Sequence, residues 1–151
     1  MNNSDAALST DNIQQDHSDI ANPTARRPHV LVVEPDPAVR ELCKDILGQF
    51  DVAVSIVQCA AEARTIVAAR AADLVYVALA PGQEPKAEEF SRFATDLGAH
   101  VVLMSGHSKG IEIGLAAGYP FLQKPFGVRD MLRPLVLNLE VDVGDDWRPS
   151  R

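Results

Sequence analysis

A Lys-Pro step is the clearest group in this chain whose residue types and spacing could do chemistry. Lys124 and Pro125 lie between two aromatic residues, Phe121 and Phe126. Because proline lowers the cost of a cis peptide bond, a tight turn here can aim the lysine ammonium into a cleft. Taken alone, a Lys-Pro step is typical of an ordinary surface turn. Its chemistry therefore depends on what the rest of the chain places nearby.

Three further polar side chains follow apolar runs of the kind that form buried strands. Glu34 and Asp36 come after one run, and Ser105 comes directly after another. Asp36 also has a structural interpretation, because an aspartate followed by proline, here Pro37, is typical of the first turn of a helix. His107 has no second ligand or nucleophile beside it, which indicates a solvated loop histidine. The sequence contains neither GxGxxG nor GxxxxGK[ST], so it predicts no phosphate-binding loop.

The composition limits the classes of function. The chain has 151 residues, of which 46% are hydrophobic, enough for one domain with a packed core. A net charge of -7 argues against binding to a nucleic-acid backbone, which requires a basic face. Cys43 and Cys59 form no CxxC pair, so we expect buried or half-buried thiols in a reducing compartment. No apolar run is long enough to span a membrane, and the amino terminus is polar, which predicts a cytoplasmic protein.

Hydrophobic periodicity predicts strands that alternate with helices between two polar tails. The tails cover residues 1–27 and 141–151, and the domain covers residues 28–140. The predicted strands are 29–33, 52–57, 74–79, 101–104 and 121–122, and the predicted helices are 36–48, 60–71, 86–97, 111–117 and 132–139. This alternation indicates an α/β protein in which a five-stranded parallel sheet carries helices on both faces. Pro134 should kink the last helix or delay its start.

In an open parallel sheet the functional cleft lies beyond the carboxyl ends of the central strands. Four segments lead to that edge, and their order and spacing resemble those of a response-regulator receiver domain: 30–37 (VLVVEPDP), 73–75 (DLV), 102–106 (VLMSG) and 121–126 (FLQKPF). The resemblance covers residues 29–139 and implies the flavodoxin-like (βα)5 receiver fold with strand order 2-1-3-4-5. In that family an acidic pair after the first strand and an aspartate after the third hold Mg²⁺. The third-strand aspartate accepts a phosphoryl group, which a hydroxyl residue and a lysine sense.

This sequence departs from the family where the chemistry takes place. The acceptor position falls on Ala78 when counted from Asp73 and on Val77 when counted back from Pro81, and neither residue can be phosphorylated. Pro35 replaces one member of the acidic pair, so we expect Mg²⁺ binding to be weak or absent.

The matching residues that remain, Glu34, Asp36, Ser105 and Lys124, would form a vestigial receiver site with no catalytic residue and no metal. Lys124 has lost the aspartate that its ammonium meets in the family. A partly buried, unpaired ammonium is costly, so we expect Glu34, at a neighbouring strand end, to be its replacement partner.

Ser105 and Phe121 match the family's switch pair, a hydroxyl that follows the phosphoryl group and an aromatic ring that rotates with it. Their ordinary interpretation is that Ser105 caps a strand exit and that Phe121 belongs to the core. The resemblance places a protein-binding face on the fourth helix, fifth strand and fifth helix, around Ile111, Phe121, Gly127 and Arg129. A homodimer through this face is one expectation.

The sequence therefore predicts an atypical, stand-alone receiver domain of two-component or phosphorelay signalling that is not an enzyme and needs no cofactor. It would act without phosphorylation through a protein partner, such as a histidine kinase or another regulator, and would contact neither nucleic acid nor membrane. Two alternatives remain open. One is a conventional phosphorylated regulator that uses another acid, such as Asp36, and the other is a small flavodoxin-like protein that binds a ligand in the same cleft.

Overall fold

The computed structural model describes residues 27–147. The prediction of a polar amino-terminal tail over residues 1–27 lies, except for Arg27, outside the described residues, as does the end of the predicted carboxy-terminal tail, residues 148–151. In the described part of the chain, no helix is long and apolar enough to cross a membrane.

Five parallel strands form a single sheet: β1 (His29–Val33), β2 (Ala53–Val57), β3 (Leu74–Ala78), β4 (His100–Ser105) and β5 (Phe121–Gln123). Their order across the sheet is β2-β1-β3-β4-β5, which confirms the predicted fold class and strand order. Strands β1 and β3 are buried along their whole length. This burial explains why their sequences are continuous apolar runs without polar alternation.

Five helices connect and follow the strands: α1 (Pro37–Leu47), α2 (Ala60–Ala69), α3 (Glu84–Asp96), α4 (Ser108–Ala117) and α5 (Val128–Leu139). The start of α1 confirms the capping prediction, because the Asp36 carboxylate accepts a hydrogen bond from the Ala38 N–H at 2.9 Å and Pro37 opens the helix. The end of α4 requires a glycine, since Gly118 has a φ of 80°.

The core lies on both faces of the sheet. Helices α1 and α5 pack on one face against Tyr76, and Leu47 and Leu132 are fully buried there. Helices α2 and α3, with part of α4, pack on the other face, where Phe90 and Leu103 are fully buried. Burying a large apolar side chain contributes about 1.5 to 3 kcal/mol, so the two layers fix the strand ends relative to one another.

The last helix differs from its prediction. We expected α5 to start near residue 132 if Pro134 delayed it, but the helix starts at Val128 and contains Pro134 in its interior. The Asp130 carboxylate accepts a hydrogen bond from the Gly127 N–H at 2.8 Å and so stabilises the first turn. Because Met131 and Leu132 are fully buried, packing of that turn offsets the cost of the interior proline, about 3 kcal/mol.

Packing continues past residue 140, the domain boundary expected from the sequence. Val143 is buried against the α1 and α5 face of the sheet. A short 3-10 helix, Asp145–Trp147, follows it and leaves the tryptophan partly exposed.

Candidate functional site

The carboxyl ends of the central strands bring the sequence-predicted site residues to one edge of the sheet. Val33 pairs with Val77 in the parallel register, so the next residues, Glu34 and Ala78, lie level with each other. Lys124 is joined to the end of β4 by the hydrogen bond from its N–H to the Ser105 carbonyl, 2.8 Å long.

Glu34 and Lys124 form an ion pair, as predicted. The Lys124 Nζ lies 2.5 Å from Glu34 Oε1, and the side chains are 25% and 1% exposed. The other carboxylate oxygen, Oε2, accepts a hydrogen bond from the Asp36 N–H at 3.0 Å. Both oxygens of the buried carboxylate are therefore engaged by groups of the protein itself. The peptide bond between Lys124 and Pro125 is cis.

Arg40 stabilises the loop that carries the glutamate, which sequence reasoning did not foresee. Its guanidinium donates to the Glu34 carbonyl at 3.0 Å and to the Pro35 carbonyl at 2.8 Å. Asp36 meanwhile caps α1 through one carboxylate oxygen, so its side chain supports the helix start. The loop after β1 is held at both its backbone and its side chains.

Two buried titratable groups lie beneath this loop. Burial, followed by the nearby Glu34 carboxylate, raises the pKa of the Cys43 thiol to about 12, although the Lys124 ammonium opposes the shift. Burial also raises the pKa of Tyr76, whose hydroxyl donates to the Met131 carbonyl. Both side chains remain neutral near pH 7, so an uncharged layer lies beneath the ion pair of Glu34 and Lys124.

His107 is not the solvated loop histidine that the sequence indicated. Its side chain is only 29% exposed. The Nδ1 atom accepts a hydrogen bond from the Gly110 N–H at 3.3 Å, so Nε2 carries the proton and donates to the Leu79 carbonyl at 2.8 Å. Glu84, a buried carboxylate that accepts from the Gly82 N–H, lies 3.7 Å from the same Nε2 atom. The histidine thus joins the loop after β3 to the start of α4.

Ser105 turns toward its own loop. Its buried hydroxyl donates to the His107 carbonyl at 3.4 Å and accepts from the His107 N–H at 3.3 Å. This agrees with the interpretation of Ser105 as a cap at the end of β4.

Two glycines bring α4 into direct contact with the predicted switch pair. A Cβ atom on Gly110 would lie 2.8 Å from the Cβ of Ser105, and one on Gly114 would lie 2.5 Å from the ring of Phe121. Real Cβ atoms essentially never approach other atoms so closely. The helix backbone therefore covers both switch residues with no space between them.

The residues of the predicted interaction face occupy different depths. Ile111 on α4 and Phe121 on β5 are half-buried, and the Phe121 ring packs against the core layer that contains α2 and α3. Gly127, the N-cap of α5, and Arg129 in its first turn are exposed. Leu115 on α4 is 68% exposed, an apolar side chain that the sequence reasoning did not assign to this face.

A cavity of about 450 Å³ opens beside Glu34, between the amino-terminal ends of α2 and α3. The ends of β1 and β3 form part of its lining through Val33, Val77 and Ala78. Cys59, which we expected to be buried or half-buried, is exposed at its edge as the N-cap of α2. The expectation for Cys43 is confirmed, since that thiol is fully buried.

The site residues do not fit a Mg²⁺ ion. Magnesium requires several oxygen ligands in near-octahedral geometry. Pro35 and Ala78 offer no side-chain oxygen, Asp36 caps a helix, and the Glu34 carboxylate already binds an ammonium and an N–H group. Among the residues that the structure describes, no three histidine, cysteine, aspartate or glutamate side chains are grouped so as to hold a metal.

Comparison with known proteins gives similar structures but no similar sequence family. The chain matches no family model and no curated protein. It is similar to the signal receiver domain of an HD domain-containing protein from Pseudomonas fluorescens Pf-5, with 24% identity over 76% of this chain and 96% of that one, and a TM-score of 0.65. A response regulator receiver protein from Burkholderia phymatum gives 24% identity, 77% and 98% coverage, and a TM-score of 0.65. A response regulator from Thermotoga maritima is 23% identical over 71% of this chain and 92% of its own, with a TM-score of 0.60. At these identities the likeness establishes the fold, which is that of response-regulator receiver domains.

Proposed function

We propose that this chain is an atypical response-regulator receiver domain of two-component or phosphorelay signalling, which takes no phosphoryl group and acts by binding a protein partner. The receiver fold and the four sequence segments at its strand ends support the family. The chemistry of the site supports the departure from it.

The main support for this proposal is that Ala78 lacks an acceptor oxygen while both carboxylate oxygens of the neighbouring Glu34 are already bound. The residue level with Glu34 on β3 has no side-chain oxygen, so a phosphoryl group has no acceptor there. Glu34 itself is buried and bound on both oxygens, by the Lys124 ammonium and the Asp36 N–H. The Lys124 ammonium, which in the family would contact a phosphorylated aspartate, is paired with the Glu34 carboxylate instead. The vestigial site, Glu34, Asp36, Ser105 and Lys124, then has a structural role.

The close contact of Gly110 and Gly114 on α4 with Ser105 and Phe121 supports an output that does not depend on phosphorylation. A switch requires a second arrangement of the hydroxyl and the aromatic ring, and Gly110 and Gly114 lie directly on both residues. Because packed interiors resist small displacements, the α4 backbone blocks movement of Ser105 and of the half-buried Phe121 ring toward the helix. The face formed by α4, β5 and α5 would be presented constantly.

This face, around Ile111, Phe121, Gly127 and Arg129, is our candidate for the partner-binding surface, and for a homodimer. The partner is a protein of the signalling pathway, such as a histidine kinase or another regulator. The net charge of -7 disfavours nucleic acid. We place the protein in the cytoplasm, where such pathways deliver their signals, and assign it no enzymatic activity.

Exposure to a phosphodonor tests the central claim. Incubation with acetyl phosphate and Mg²⁺ should leave the intact mass unchanged and should shift no amide resonance of Ala78, Ser105 or Lys124. Any conventional receiver domain, treated in parallel, is the positive control. A mass gain of one phosphoryl group that is lost in Asp36→Ala would refute the proposal and establish the alternative in which another acid is phosphorylated.

Capture of partners tests the face. A partner retained from the native cell by the wild-type protein should be lost with Arg129→Glu, which reverses an exposed charge on α5. Arg70→Glu is the matched control, because Arg70 is also exposed but lies at the end of α2. If the two variants retain the partner equally, the binding surface lies elsewhere.

A further inference from the structure

The cavity beside Glu34 lies where ligands bind in open parallel sheets. The strand order reverses direction between β1 and β3, and both strand ends line the cavity through Val33 and Val77. Such a reversal leaves a crevice beyond the carboxyl ends of the strands, since the helices that follow them go to opposite faces. Its volume, about 450 Å³, is within the range of small-molecule sites.

The lining is mostly apolar and made of small side chains. Eight of the thirteen lining residues are alanine, valine or proline. Pro35 and Ala78 lie where the resemblance would place carboxylates. On the facing ends of α2 and α3, Ala60 and Ala87 present only short side chains to the cavity. The same substitutions that remove phosphoryl chemistry therefore leave a recess with apolar walls.

The polar groups lie at the mouth, and the cation among them is free. Within residues 27–147 the side chains of Lys86, Gln58 and Gln83 make no hydrogen bond or ion pair. Glu62, the carboxylate at the mouth, accepts a hydrogen bond from the Gln58 N–H at 2.9 Å and so closes the turn into α2. A ligand with an apolar body and one negative group would bury the body in the recess and bring its charge to Lys86.

We propose that this cavity is a binding site for a small, mainly apolar organic acid. The ligand body would replace water against Val33, Ala78 and Ala87, and its carboxylate would face Lys86. The inference does not rest on the proposed function, because binding is measured on the protein alone, without phosphodonor or partner.

Cys59 supplies a reporter for occupancy. It is one of only two cysteines in the chain, and the other, Cys43, is fully buried. A neutral maleimide at pH 7 should therefore label Cys59 alone in the folded protein. Saturating phenylacetate or hexanoate should slow this labelling several-fold, whereas phenylacetamide should slow it less at equal concentration.

Binding is measured by amide chemical-shift titration with the same probes. Saturable shifts should cluster at Ala60, Ala78 and Ala87. Ala61→Phe, which fills the mouth from an exposed helix position, should weaken binding at least about tenfold. Ala68→Phe is its control, because Ala68 is also exposed on α2 but does not line the cavity.

The charge is tested separately. Lys86→Gln should weaken binding of phenylacetate about two- to fivefold, the range of an exposed charge pair, and should leave phenylacetamide unchanged. Lys109→Gln, at an exposed position on α4 outside the cavity, should alter neither. Absence of saturable shifts in the wild-type protein, or equal affinities of Ala61→Phe and Ala68→Phe, would overturn the proposal. Equal losses of acid and amide in Lys86→Gln would overturn the assignment of an acidic ligand.

Discussion

Replacing Glu34 with glutamine should destabilise the fold through the lysine that it leaves behind. The change keeps the volume and one acceptor oxygen but removes the negative charge that lies 2.5 Å from Lys124 Nζ. A fully buried, stranded ammonium would cost about 3 to 5 kcal/mol, but the Lys124 side chain is 25% exposed and reaches some solvent. We therefore expect a loss of about 1 to 3 kcal/mol in the free energy of unfolding.

The loss should be measurable by heat or by denaturant. In a domain of this size, about 4 °C of melting temperature corresponds to 1 kcal/mol, so Glu34→Gln should melt about 4 to 12 °C below the wild type. Glu89→Gln provides a matched control, because its pair with Arg64 is 3.7 Å long and both side chains are well exposed. Such a surface pair should contribute less than about 1 kcal/mol.

A double-mutant cycle isolates the interaction between the two charges. Lys124→Met removes the ammonium, and the double variant Glu34→Gln with Lys124→Met should recover part of the loss of the first change. A coupling energy of at least about 1 kcal/mol is expected for contacting charges. If Glu34→Gln is no less stable than Glu89→Gln, or if the two changes simply add, Lys124 is solvated independently and the ion pair is not structural.

Three further outcomes follow from the structure. Gly114→Ala should lower the free energy of unfolding by about 1 to 3 kcal/mol because its methyl group would enter the Phe121 ring, and unchanged stability in urea denaturation would contradict the contact. Burial raises the pKa of Cys43 from 9.0 to about 12, so the folded state keeps a proton that the unfolded state loses in this range. Its contribution to stability, complete below pH 9, should decline between pH 9 and pH 12, and Cys43→Val should show a shallower decline in denaturation midpoints. The double variant Ala78→Asp with Pro35→Asp should gain a Mg²⁺-dependent rise in melting temperature, because it restores oxygen ligands at both strand ends. The same rise in the wild type would mean that its site already binds the ion.

The fold was predictable because several local signals agree with the global pattern. The continuous apolar run at β1, the Asp36 cap and the turn at Pro125 each specify a backbone geometry, and each falls where a (βα)5 chain needs it. The ion pair was predictable for a different reason. A lysine without its usual partner requires a substitute, and Glu34 directly follows β1 at the same edge of the sheet.

The parts that could not be predicted depend on tertiary packing. His107 was expected in solvent because no ligand is near it in sequence, yet its partners, Leu79 and Glu84, belong to the preceding loop and helix. Pro134 was expected to kink α5 or to delay its start, and the start is not delayed because burial of the turn before the proline outweighs propensity. The sequence predicted a cleft at this edge of the sheet but not its apolar lining, since scattered alanines acquire a common location only after folding.

The close contact of Gly110 and Gly114 with Ser105 and Phe121 affects the affinity with which a partner could bind. In a protein that fluctuates between two forms, the apparent affinity is reduced by the fraction of molecules in the competent form. In the proposed phosphorylation-independent receiver, where Gly110 and Gly114 lie against Ser105 and Phe121, the outer side of α4, with exposed Leu115, would be displayed by every molecule. A partner would meet its full intrinsic affinity at all times, so the strength of the signal would be set by the amount of protein in the cell.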